Sequence, residues 1–260
     1  MTEPLDTQEI KRHLDDTMTL GTQYLLFESI NSTNEYAKQN VEVNGSVVLA
    51  EKQTAGRGRL GRDWVAPAGK GILMSVVLLP EPGFSVPLLN LAAGVAICDA
   101  LQAVYSMRAA VRWPNDVFVS HKKIAGVLAE TQFRGSDISK FILGIGLNVH
   151  QEQDDFPVEL RKPATSVKQE TSLSIDRNLL ASNILKNLDE KIRLLEAGNS
   201  DIILQEWRAQ SDQVGRQVKY ISNADEKVGV FTDLAEHGAV ILEIDGNQEE
   251  ITTGEIILIE

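Results

Sequence analysis

Apolar residues recur at steps of three or four in two long stretches of the chain. Between residues 86 and 105, Leu88, Leu91, Val95, Cys98 and Leu101 predict an amphipathic helix with a strong core face. Leu180, Ile184, Leu188 and Leu195 predict a second long helix, stopped near Gly198. Leu5, Ile10 and Leu14 give only a short helical pattern before residue 26. Ser32 followed three residues later by Glu35 fits a capping box, so another helix starts there. The remaining apolar runs are short and read as strands: 24–27, 47–50, 72–79 (closed by Pro80 and Pro82), 111–113 and 141–149. Residues 117–119, a polar turn at Ser120 and His121, and 124–130 read as a hairpin. Residues 151–175 are polar and contain proline, which predicts a surface excursion.

The texture changes after about residue 213. Short apolar runs at 218–221, 228–231, 240–244 and 256–259 are punctuated by Gly229, Gly238, Gly246 and Gly254, the pattern of a small β-barrel. The expected organisation is a short N-terminal helical extension over 1–25, a large domain over 26–212 and a barrel over 213–260. Strands in hairpin-like runs, rather than strict strand–helix alternation, make the large domain α+β.

Composition narrows the setting. With 260 residues, 43% hydrophobic and 24% charged, the chain is an ordinary globular protein, long enough to bury a large core. A net charge of −12 argues against general nucleic-acid binding, which neutralises phosphates with cations. No apolar run reads as a bilayer span, and the N-terminus has no signal-peptide pattern. The single cysteine, Cys98, excludes a disulfide within the chain and a thiolate metal cluster. Together these favour the cytoplasm, with no membrane and no nucleic-acid partner.

Four segments carry candidate chemistry. The loop 53–64, QTAGRGRLGRDW, interleaves Gly56, Gly58 and Gly61 with Arg57, Arg59 and Arg62. Glycine lets backbone N–H groups approach an anion, and arginine adds planar bidentate donors. The same composition also fits a solvated basic loop or an arginine-rich contact to nucleic acid. It matches neither a P-loop nor a dinucleotide fingerprint. In RWPNDVFVSHKKIAGVLAE, 112–130, Asn115 and Asp116 project from a turn and Lys123 opens the return strand. That lysine suits charge stabilisation at a phosphoryl centre, but taken alone the segment is better explained with Asp116 closing the turn and Lys122 and Lys123 as surface charges. In ILGIGLNVH, 142–150, two glycines in an apolar run mark a bulge or a close approach to the backbone. Asn148 there suits the edge of a base. Ser32, Thr33 and Asn34 sit at a helix start, where free N–H groups bind polar head groups. The four histidines fall at sites expected to be exposed, and no HExxH or GxSxG motif is present.

In this order, STN at 32–34, QTAGRGRLGRDW at 53–64, RWPNDVFV…KKIAGVLAE at 112–130 and GIGLNV at 144–149 resemble the biotin protein ligase family, the biotin–[acetyl-CoA-carboxylase] ligases. The resemblance implies an α/β catalytic domain with a central mixed sheet, class II synthetase-like, and a small C-terminal SH3-like barrel. It implies ATP and Mg2+ as cofactors and biotin as substrate. Biotin is activated as biotinyl-5′-AMP and passed to a lysine of the biotin carboxyl carrier protein of acetyl-CoA carboxylase. Carried onto this chain, Ser32, Thr33, Asn34 and Gln53 hold the biotin ring. Arg57, Gly58 and Arg59 fold over biotin and its adenylate, and Gly126 gives the ligand room. Lys123 meets the carboxylate and α-phosphate, and Asp116 orients the reacting groups or helps hold magnesium. Arg62, Trp64 and Asn148 contact the nucleotide, and no protein-only metal cluster is expected. Leu60 stands where some relatives carry another arginine. The short N-terminus implies a monofunctional ligase without a DNA-binding domain, and a homodimer is compatible with the family. A lipoate ligase or octanoyltransferase and a DNA-acting biotin sensor are the competing readings.

Overall fold

The computed structural model describes residues 3–81, 83–222 and 225–259. The expected strand stop at Pro82 lies outside them, as do the first two residues of the N-terminal extension and residues 223, 224 and 260 of the C-terminal region. The first sheet takes in β1 (Tyr24–Phe27), β2 (Val47–Ala50), β3 (Gly71–Leu78), β4 (Ala110–Arg112), β5 (Asp116–Val119), β6 (Lys122–Arg134) and β7 (Asp137–Asn148). It is seven-stranded in the order β1-β2-β3-β7-β6-β5-β4. The β1–β2 pair is parallel and the others antiparallel, so the sheet is mixed, as the family resemblance implies.

Helices cover both faces of this sheet. On one side lie α3 (Val86–Tyr105) and α5 (Arg177–Glu196), with α1 (Thr7–Arg12) and α6 (Ser200–Gln210) packed around them. On the other side α2 (Thr33–Asn40) packs Ala37 against Val48, Val77 and Ile142. β2 and β3 are buried along their whole length, which is why they read as unbroken apolar runs. α3 starts where the Ser85 side chain accepts from Leu88 N–H, with Pro87 in the first turn, and ends at Ser106 in the left-handed region. It is long and apolar enough to cross a bilayer, contrary to the sequence expectation, but most of it is buried in the fold. Asp176 caps α5 by accepting from Asn178 and Leu179 N–H.

The second sheet holds β8 (Gln217–Ser222), β9 (Asp225–Leu234), β10 (Val240–Ile244), β11 (Asn247–Ile251) and β12 (Glu255–Leu258), all antiparallel in the order β11-β10-β9-β8-β12. Its apolar face joins the main core: Trp207 of α6 stacks on Phe231 with centroids 5.9 Å apart. Gln213 ties the two sheets, accepting from Trp113 N–H at 2.7 Å and donating to the Ile256 carbonyl at 3.2 Å.

The structure departs from the sequence expectations at several points. The N-terminal segment is no appendage, because Leu5, Ile10 and Leu20 are buried in the main core. Arg177, almost wholly buried, donates to the Glu51 carboxylate at 2.7 and 3.1 Å and to the Glu3 carbonyl at 2.7 Å. α6 was not expected; Ile203, Leu204 and Trp207 are its buried stripe. β6 and β7 are longer than their apolar stretches and meet at a tight turn with Gly135 at φ 67°. Residues 151–175 are not a loose excursion. Gln151, Thr165 and Ser166 are fully buried, and Lys123 exchanges backbone hydrogen bonds with Pro163 and Thr165. His150 is half-buried rather than exposed, and burial, with Arg177, Lys168 and Lys70 nearby, lowers its pKa.

Candidate active site

Side-chain alternation sorts the central strands into two faces. Leu143, Ile145 and Leu147 of β7 enter the main core, while Ile142 packs under α2 and Gly144, Gly146 and Asn148 line a cavity. On β6, Ala125, Val127 and Ala129 are core; Gly126 and Leu128 line the cavity. The cavity, about 570 Å³, therefore rests on a sheet face stripped of side chains at three glycines.

The bare backbone is occupied by other side chains. A Cβ on Gly144 would lie 2.3 Å from Asn34 Oδ1, and one on Gly146 2.4 Å from the Trp64 ring. A Cβ on Gly126 would meet Trp64 at 3.1 Å. The glycines thus admit Trp64 and Asn34 to the sheet, and the room attributed to a ligand at Gly126 is shared with that indole. Trp64 Nε1 is buried with no hydrogen-bond partner among the described residues.

Lys123 reaches the cavity through a β-bulge. Val117 faces Ala125, but Phe118 faces Lys123, so Ile124 is an extra residue in β6. Strict alternation would put Lys123 on the core face with Ala125. The bulge instead buries Ile124 in the core and turns Lys123 to the cavity. Its Nζ lies 2.7 Å from Asp116 Oδ1 and 5.8 Å from the Trp64 ring centroid. The contact with Asp116 is an ion pair without hydrogen-bond alignment, and that oxygen has no hydrogen-bond donor among the described residues.

At the other end, the start of α2 forms a dense polar cluster. Ser32 caps the helix by accepting from Glu35 N–H at 3.4 Å. The capping box is only half made, since the Glu35 carboxylate turns to Arg57, 3.6 Å away. Gln53 Oε1 accepts from Thr33 N–H at 2.7 Å and from its hydroxyl at 2.9 Å. The Asn34 amide donates to the Leu128 carbonyl at 3.1 Å and to Glu130 at 2.8 Å. Ser75 Oγ lies 2.6 Å from Asn34 Oδ1 and 2.7 Å from Thr33 Oγ1; its single proton serves one at a time.

The arginine loop is folded down over this face. Trp64 N–H donates to the Gly56 carbonyl and Gly58 N–H to the Arg62 carbonyl, making a small hairpin. Its tip is Leu60, exposed and left-handed at φ 56°, followed by Gly61 at φ 73°. Arg59 turns inward, 3.5 Å from Asn115 Oδ1 and 3.4 Å from the Gly254 carbonyl. Burial lowers its pKa, opposed by the charges of Asp116 and Glu255. Arg62 pairs with Glu255 at the head of β12. The second sheet therefore supplies part of the cavity wall.

The structure thus brings together every residue expected at the site. Asn148 differs in detail, because its amide donates to the Thr165 carbonyl and accepts from Gln151, both at 3.0 Å. Its polar group is engaged in orienting the 151–166 segment. Sequence reasoning missed Phe156, Leu160, Pro163 and Ala164, which wall the cavity from that segment, and Arg112, Phe118 and His121. Only the alternation of Arg112, Asp116 and Phe118 around a turn pointed to the latter group.

A glycine-floored sheet, a polar helix start and a cationic flap together line one cavity, whose donors and cations suit anionic groups. Residues 26–148 match the model of the biotin/lipoate A/B protein ligase family, and residues 214–259 match the biotin protein ligase C-terminal domain. The chain is 32% identical to the biotin–[acetyl-CoA-carboxylase] ligase of Mycobacterium tuberculosis, over 98% of this chain and 96% of that protein. It is 32% identical to the bifunctional ligase/repressor BirA of Bacillus spizizenii, over 93% of this chain and 76% of that one. Its fold is similar to that of the Aquifex aeolicus biotin protein ligase in complex with biotin and ATP, with a TM-score of 0.81, 28% identity, and 91% and 98% coverage of this chain and that one. The chain belongs to the biotin protein ligase family.

Proposed function

We propose that this enzyme activates biotin with ATP and transfers it from biotinyl-5′-AMP to a lysine of the biotin carboxyl carrier protein of acetyl-CoA carboxylase. The observation that carries the reading is the bulge that aims Lys123 into a cavity between the α2 polar cluster and the arginine flap. In the first step a biotin carboxylate oxygen attacks the α-phosphorus of ATP, and pyrophosphate leaves. Lys123 offsets the charge that builds on the α-phosphate. Thr33, Asn34 and Gln53 orient the ureido ring, and Arg57 and Arg59 cover the carboxyl end. Trp64 and Arg62 serve the nucleotide. In the second step the carrier lysine attacks the acyl carbon and AMP leaves; the flap keeps water away until then.

Among the described residues no group of three or more His, Cys, Asp or Glu side chains is placed to hold a metal ion. Mg2+ is commonly held by one or two carboxylates together with substrate phosphates. Asp116, a carboxylate that lines the cavity beside Lys123, would hold it. When bound, the ion neutralises polyphosphate charge.

Incubating the protein with MgATP, biotin and a carboxylase carrier domain should raise the carrier's mass by one biotinyl group. Lipoate in place of biotin should leave the carrier unchanged. A lipoyl adduct, or no adduct with either acid, overturns the assignment.

Gly144→Ala should weaken biotin binding about ten-fold while the chain still folds. The new methyl group displaces Asn34, whose amide is anchored on Leu128, Glu130 and Ser75 and has little room to move. Calorimetric titration with biotin measures this; parental affinity would show that Asn34 does not position the ring.

A further inference from the structure

We infer that Lys140 is a positioning residue for biotin: its ammonium clamps the far end of α2 and so fixes Thr33 and Asn34 at the near end. The inference rests on the ligase reading and adds to it a residue that lies outside the motifs discussed above and does not line the cavity.

Lysine is almost never fully buried unless it is paired, yet Lys140 is 1% exposed. It has the parity of Ile142, Gly144 and Gly146 on β7, the face that α2 covers. Ile142 packs beneath that helix with Ala37 and Val41, and two residues earlier Lys140 brings a charge to the same face. Its three N–H groups have three acceptors: the Val41 carbonyl at 2.6 Å, the Glu42 carboxylate at 3.0 Å and the Ala37 carbonyl at 3.4 Å. Val41 is the C-cap of α2. The last carbonyls of a helix lack intrahelical donors and carry the negative end of its dipole, so a cation there satisfies both needs. The Glu42 carboxyl, hydrogen-bonded by the ammonium, is in turn held below its ordinary pKa.

α2 needs such a clamp. It has eight residues, too few to be stable alone. Of these only Thr33, Asn34 and Ala37 are buried, so little apolar area holds the helix to the sheet. Both of its ends are instead pinned on β7: Asn34 settles on the bare backbone of Gly144, and the Val41 carbonyl on Lys140. The pins are four residues apart on the strand, about 13 Å. They are seven residues apart along the helix, about 10 Å. The helix therefore bridges one strand from pin to pin. Ala37, whose carbonyl takes one bond of the ammonium, stands one turn beyond Thr33, so a shift of the clamped turn is passed to the turn that bears the polar cluster. Without the ammonium the Val41 carbonyl loses its donor in a buried setting. The last turn then moves towards water, and Thr33 and Asn34 lose their height over the cavity floor.

The test is calorimetric titration of the full chain with biotin, beside steady-state kinetics and thermal unfolding. Lys140→Met keeps much of the length and drops the donors. It should weaken biotin binding by on the order of ten-fold, within the usual range for coupled sites. The KM for ATP and kcat at saturating biotin should stay at the parental values, the split expected when only ground-state binding of one substrate is lost. Glu42→Gln leaves both carbonyl bonds in place and should keep parental biotin affinity. A lowered Tm with parental biotin affinity in Lys140→Met overturns the inference, because Lys140 would then only stabilise the fold. A KM for ATP that rises in step with that for biotin overturns it too, since the whole site would then be disturbed. Should Lys140→Met not fold, the parent still decides. Coupling between the two ends of α2 is reciprocal, so saturating biotin should slow hydrogen exchange at the amides of residues 38–41, none of which lines the cavity. Unchanged exchange there overturns the inference. A parent that binds no biotin would instead overturn the ligase reading itself.

Discussion

Lys123→Ala should lower the rate of biotin-dependent pyrophosphate release by a factor on the order of 10² to 10³, the usual loss when one preorganised charge stabiliser is removed. The expectation follows from position. Lys123 is a cavity lysine on a sheet strand, aimed by a bulge and restrained by backbone bonds to Pro163 and Thr165. Asp116 holds its ammonium at 2.7 Å, so it stands ready before ligand arrives and needs little reorganisation. The side chain is partly exposed and the core neighbour Ile124 is untouched, so the variant should keep its fold. Single-turnover release of pyrophosphate is the direct measurement. A parental rate would remove Lys123 from the mechanism.

Arg59→Ala should make the enzyme leak biotinyl-AMP about ten times faster while binding biotin nearly as before. The Arg59 side chain is the part of the flap that turns inward, half-buried between Asn115 and the Gly254 carbonyl. Arg57 is largely exposed and, among the described residues, its ion pair is with Glu35. Loss of the inward guanidinium takes away the link from the flap to the second sheet and the charge facing the phosphate. An opened flap admits water to a mixed anhydride, so the product lost is the intermediate rather than the substrate. Preforming the adenylate, separating free ligand and timing its release compares variant and parent. Equal release would assign retention to other residues, with Arg62 and its partner Glu255 next in line.

Much of the site was visible in the chain because its chemistry is concentrated in short segments. The arginine loop, the turn at Asn115 and Asp116, the helix start at Ser32 and the glycine pair on β7 each lie within a dozen residues. Local rules also located the strands that are buried on both faces and the two long helices. They failed where burial is set by distant partners. The polar composition of residues 151–175 read as exposure, yet Gln151 and Ser166 are buried with their polar groups paired: Gln151 Oε1 accepts from Val149 N–H just past β7, and Ser166 Oγ donates to the Gln151 carbonyl. α6 escaped because its apolar stripe is short and gains meaning only beside Phe231 of a later sheet.

The sequence alone determined the α+β plan, the change of texture near residue 213, and the residue types of the site, since apolar period, glycine and charge are local properties of a chain. The tertiary structure decided which way those residues face. By alternation Lys123 shares the parity of Ala125 and belongs in the core. Pairing with β5 admits one extra residue, sends Ile124 inward and turns the lysine out. Register is a property of two strands together, set by the packing of both, and no single segment contains it.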